Sequence, residues 1–159
     1  MASLAVTRQE VSPLGFEKIE AILAFREPAV IQRFALDQQV GYEEADAVFL
    51  GLMQFFVASS FMSGYKTPSM VIDDMWHTFV LHMREYERFC FEIMNGTVYH
   101  SPGTDDSAFA FYPVTRAVAA ELCGELNESV WPSEHAPHPE ARCISCDFTP
   151  EARFAALMH

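Results

Sequence analysis

Between Ala47 and Tyr65 the chain runs for 19 residues without a charged side chain. An apolar stretch of that length either crosses a bilayer or passes through the middle of a protein core. Gln54, Ser59, Ser60 and Ser63 interrupt it, and Glu44 and Asp46 precede it where a membrane span would carry basic anchors. The expectation is a buried core helix around which everything else must pack. The material for such a core is present: 159 residues, half of them apolar and 14 of them Phe, suffice for one compact domain.

Charge narrows the partners. A net charge of −12 repels the phosphates of nucleic acid and an anionic membrane surface alike. It suits a soluble, acidic protein whose protein partner, if it has one, is basic or neutral. The opening MASLAVTRQE lacks the basic cluster and apolar run of a signal peptide. Cys90 and Cys123 stand alone and only Cys143 and Cys146 are close in sequence, a usage that fits the reducing cytoplasm.

Periodicity predicts helices and little else. Ser12-Pro13 opens a first helix with Phe16, Ile19 and Leu23 on one side. Pro28 suits the first turn of a second helix, with Val30, Ile31 and Phe34 inward and Gly41 as its stop. Glu43 and Glu44 favour the positive end of a third, running to about Gly64. The longest helix is expected from about Met70, capped by the Thr67-Pro68-Ser69 turn, to Met94, with Asn95-Gly96 ending it and residues 97–100 returning extended. Asp105, Asp106 and Ser107 are candidate caps for a last major helix that begins only after Pro113 and ends near Leu126. The fold class expected is all-α, an irregular single-domain bundle of four to five helices. Residues 1–126 form the helical domain. Residues 127–159 form a Pro/Cys/His-containing tail, with a metal clip and a short terminal helix from Pro150 to Met158 as its candidate features.

Advancing about 100° per residue divides the long helix into faces. Ile72, Met75, Trp76, Phe79, Met83, Tyr86, Cys90 and Ile93 share one wide arc and read as core, with Tyr86 sending its hydroxyl to a partner at the core edge. His82 lies at the boundary. Asp73 and His77, four apart on another face, place a carboxylate within reach of an imidazole. Such a pair can orient a catalytic or metal-bound histidine, or serve as a plain surface pair. His77 and Cys90 point about 140° apart, too far to hold one metal on a straight helix. His100, beyond the Asn95-Gly96 reversal, can fold back beside the helix. Asp73, His77 and His100 are therefore the best site this segment offers.

The pattern Asp73-x-x-Trp76-His77-Thr78, then Leu81, Tyr86, Cys90, Gly96 and His100-Ser-Pro, resembles a sparsely characterised family. It comprises bacterial proteins of unknown function and plant glycine-rich domain-containing proteins. The resemblance spans residues 28 to 102, weakly upstream through Phe34, Gly41, Glu44, Ala45 and Pro68. It implies no particular reaction. The plant members carry a second His two residues after the WH motif, a place held here by Phe79.

The tail offers a second donor group. His135, His138, Cys143 and Cys146 read H-x2-H-x4-C-x2-C, with each pair spaced to grip one zinc. The gap between the pairs is short for a zinc module, and a redox pair or two free thiols fit the same spacing. A site shared between these cysteines and His77 or His100 is a further option. No nucleophile elbow, phosphate-cradling loop, H-E-x-x-H or dinucleotide fingerprint occurs. The leading expectation is a small cytoplasmic metal-binding protein, with zinc at the tail group, the Asp73–His77–His100 group, or both. The alternatives are a metal-free protein-interaction module and a hydrolase-like enzyme using His77 as general base, oriented by Asp73.

Overall fold

A computed structural model of the chain describes residues 7–62, 65–102, 111–133 and 143–150, with residues 101–102 and 143–150 given as backbone. Six helices make up most of it: α1 Pro13–Ala24, α2 Pro28–Gln38, α3 Tyr42–Phe61, α4 Met70–Leu81, α5 Met83–Phe89 and α6 Tyr112–Cys123. Strands β1 (Gly96–Pro102) and β2 (Cys143–Pro150) pair antiparallel at one edge. The all-α class holds, with this one strand pair added. Pro150, the expected start of the terminal helix, is the last residue of β2; residues 151–158 and the candidate caps Asp105, Asp106 and Ser107 lie outside the described residues.

α3 is the axis. Twelve of its residues, from Ala45 to Ser59, are buried, which explains why its sequence lacks charge after Asp46. It is long and apolar enough to cross a membrane, yet 67% of its most apolar window is buried inside the fold, as in the core helix of a soluble protein. Three of the polar interruptions find partners within the fold. Ser59 and Ser60 donate to the Phe55 and Phe56 carbonyls, and Gln54 accepts from the Trp131 indole at 3.0 Å. Gly51 is needed for space, since a Cβ there would collide with Val130 and press on Ile72. Val130 and Trp131 are thus buried in the same core as the helices before them.

Local chemistry sets most boundaries. Ser12 and Ser69 cap α1 and α4 by accepting from the Gly15 and Ile72 amides, and Pro113 lies in the first turn of α6. Ser69 also donates to the Val130 carbonyl at 2.6 Å. Two expectations need correction. α2 stops at Gln39, which adopts the left-handed conformation and returns its amide to Ala35 and Leu36, while Gly41 instead starts α3.

The second correction is larger: the helix expected from Met70 to Met94 is broken at His82. There ψ is 64°, and the His82 amide turns to the Phe79 carbonyl. The ring Nδ1 takes the Thr78 carbonyl at 2.9 Å, replacing the bond that the amide would make in a continuous helix. The chain resumes as α5 and widens into a π-helical turn, Cys90–Met94, closed by left-handed Asn95. Because the axis changes direction, Met83 leaves the predicted core face and is 63% exposed. Phe79 and Phe89 instead meet, their rings 5.5 Å apart, within a cluster that includes Phe25 and Phe49.

Candidate metal centre

α4 and β1 meet at the first turns of α4. Asp73 lies one turn after the Ser69 cap, and His77 follows one turn later on the same side. β1 then carries His100 back to them. Its Nε2 lies 2.8 Å from Asp73 Oδ1, and its ring centroid lies 4.4 Å from that of His77 and 4.3 Å from Trp76. The His77 Nδ1 to Asp73 Oδ2 distance is 3.7 Å, beyond hydrogen-bond range. The i,i+4 spacing therefore sets proximity, but Asp73 spends its strong contact on the histidine from the strand.

Asp73, His77 and His100 each present a donor atom, and these atoms lie within 4.8 Å of one another. Asp73 and His100 are nearly closed off, with side chains 13% and 11% exposed, while His77 is 53% exposed and forms the open wall. Two imidazole nitrogens and one carboxylate oxygen form a borderline donor set that suits a divalent transition metal such as zinc. The neighbouring Asp74 carboxyl is raised above its ordinary value. Desolvation is the larger cause, the Asp73 charge adds to it, and His77 partly offsets both.

Behind the triad, three further side chains fix where β1 lies. The Trp76 indole donates to the Tyr86 hydroxyl at 3.1 Å, and that hydroxyl donates to the Val98 carbonyl at 2.5 Å. The Val98 backbone also hydrogen-bonds the Cys90 thiol, which burial pushes above its ordinary value against that bond and a second from Tyr86. Cys90 is thus a buried thiol supporting the strand, two residues before His100. The Trp-His, Tyr, Cys and His positions of the sequence pattern form one unit: Asp73, His77 and His100 in front, Trp76, Tyr86 and Cys90 behind.

That unit lies within residues 18–106, the stretch matched by the family model described as UCP032817-like, more than half of the chain. The chain belongs to the UCP032817-like family. No reaction or ligand is assigned to that family. No curated protein and no solved structure matches the chain.

The tail candidates fall differently. His135 and His138 lie outside the described residues, and Cys143 and Cys146 are placed on β2. His82 is used as the cap at the helix break. A shallow cleft of about 500 Å³ opens along α5, lined by Arg84, Glu87, Arg88, Phe91 and Thr97 and reaching Tyr86 and Cys90. It contains none of the triad, and its Arg88 is paired with Glu27 at 3.2 Å. The expectation that Tyr86 sends its hydroxyl to a partner is met by its bonds to Trp76 and Val98; what the sequence did not reveal is that Trp76, read only as core, is one of those partners.

Proposed function

We propose that this is a small metal-binding helical protein, soluble and cytosolic, whose centre is Asp73, His77 and His100, with zinc as the metal. One observation supports this above the others: His100, 27 residues from Asp73 and on a different element, arrives 2.8 Å from its carboxylate with His77 alongside. A carboxylate bonded to an imidazole is the usual way of orienting a metal-binding histidine. Three protein donors leave a coordination position for water or for a further protein ligand. The WH-T pattern also supports a proposed kinship between this family and the plant glycine-rich domain-containing proteins.

Metal analysis of untagged protein, purified without chelator, tests the reading. Near one equivalent of zinc is expected, falling at least about tenfold in occupancy in His100→Ala. Less than a tenth of an equivalent of any transition metal, with no uptake on zinc titration, would overturn it.

A second reading, a metal-free protein-interaction module, draws on Leu81 and Met83, apolar side chains 84% and 63% exposed on either side of the His82 break. A partner captured by the native chain and lost with Leu81→Ser/Met83→Ser would support it; no capture from native lysate counts against it.

A further inference from the structure

β2 runs beside β1 with a defined register. Gly96 is opposite Pro150, Val98 opposite Phe148, and His100 opposite Cys146. Directly opposed residues of an antiparallel pair belong to the same face of the ribbon, with Cα atoms about 4.5–5.5 Å apart. Cys146 therefore occupies the register position next to the strand histidine of the centre.

Cys143 needs a second step. It lies three positions from Cys146, and in a regular strand an odd spacing assigns two residues to opposite faces. The ladder, however, is irregular between Ser101 and Pro102: Ser145 pairs with Ser101, but Cys143 pairs with Pro102 and Ile144 is skipped. One extra residue in a strand moves everything beyond it by one position. Pro102 shares a face with His100, so the irregularity assigns Cys143 to the face that already holds Cys146. The C-x2-C spacing, which a plain strand would split, is reunited on the His100 side.

We propose that Cys143 and Cys146 are ligands of the same metal as His77 and His100, with Asp73 holding the His100 ring. This rests on the metal-binding reading above but moves Asp73 from metal donor to holder of the His100 ring, and gives the site a ligand set and a role. Two thiolates and two imidazoles make a closed tetrahedral zinc site, the structural rather than the hydrolytic type. Each cysteine gives up its S–H proton as its sulfur binds, so zinc uptake releases two protons and fixes β2 to the helical body. Both cysteines lie outside the 18–106 segment that defines the family, so this completion belongs to the chain rather than to the family segment.

Cobalt(II) titration of the reduced, untagged full chain tests the proposal, because thiolate ligands give cobalt a charge-transfer absorption in the near ultraviolet and imidazole and carboxylate ligands do not. The native chain is expected to show that band at one equivalent. Cys143→Ser/Cys146→Ser should abolish it and weaken binding more than about 100-fold, and His77→Ala should weaken binding at least about tenfold. Cobalt bound without the band, or a band that survives the double serine variant, would overturn the shared site while leaving the metal-binding reading intact. A band and affinity unchanged in both His77→Ala and His100→Asn would place the metal in the tail alone and also overturn it. No cobalt or zinc uptake by the native chain would overturn the metal-binding reading itself.

Discussion

The hydroxyl of Tyr86 donates to the backbone carbonyl of Val98 at 2.5 Å, across the turn that joins the π-helical end of α5 to β1. This bond fixes the strand two residues before His100, and strand residues two apart share a face. The position of His100 against Asp73 is therefore supported by a phenol carried on a different helix, α5.

Removing that hydroxyl should be costly in two ways. Tyr86→Phe takes a partner from both the Trp76 indole N–H and the Val98 carbonyl, inside a buried cluster. A loss of about 1–3 kcal/mol is expected, seen as a lower denaturant midpoint at unchanged slope. Zinc affinity should fall about tenfold as the support of His100 loosens. An affinity equal to that of the native chain would show that the strand is held by other contacts.

Zinc should stabilise the fold by mass action. At free zinc 100 times its dissociation constant the gain is about 2.7 kcal/mol, which for a chain of this size raises the melting temperature by roughly 5–10 °C. Differential scanning calorimetry should show this rise, its reversal by chelator, and its absence in His100→Ala. His77→Ala, changed at the exposed wall, should retain the fold without metal and lose most of the zinc response.

The close packing of α3 makes Gly51 a test of the core. Gly51→Ala brings a Cβ into Val130 and against Ile72, an overpacking expected to cost about 1–3 kcal/mol. Gly51→Ala/Val130→Ala should recover part of that loss, because the second change removes the methyl groups that the first strikes. Simple additivity of the two single variants in chemical denaturation would contradict the contact.

Alkaline pH should weaken the fold through two acids, the buried Tyr112 and the partly buried Cys123. Burial raises Cys123 from 9.0 to about 12 and Tyr112 from 10.0 to about 12. Both are neutral when protonated, and between those values the native chain holds more protons than the unfolded one. Their contribution to stability is therefore complete below about pH 9 and declines as pH rises toward 12. In Cys123→Ala the decline should be shallower than in the native chain between pH 9 and 11, measured by urea unfolding. Parallel curves would mean that Cys123 titrates normally.

Much of the helical frame was legible because it is local. Ser12 and Ser69 accept amide hydrogens within their own first turns, Asn95 takes the left-handed cap, and the charge-free run of α3 could only be core or membrane. The break at His82 was not legible. No Pro or Gly stands there, and the periodicity continues through it. On a straight helix Phe79 and Phe89 would lie about 15 Å apart along the axis, whereas their rings meet at 5.5 Å. Packing around Phe25, Phe49 and Phe56 rewards the fold-back, and no neighbour in sequence reports it.

For the candidate centre the division is similar. By itself the sequence determined which residues can carry chemistry, and that Asp73 and His77 lie one helical turn apart. Only the tertiary structure decided that Asp73 bonds His100 rather than His77, and that β2 sets Cys146 opposite His100. A helix turn is fixed by a period within a few residues; a strand pairing joins positions about 46 residues apart and is fixed by what the rest of the core leaves exposed.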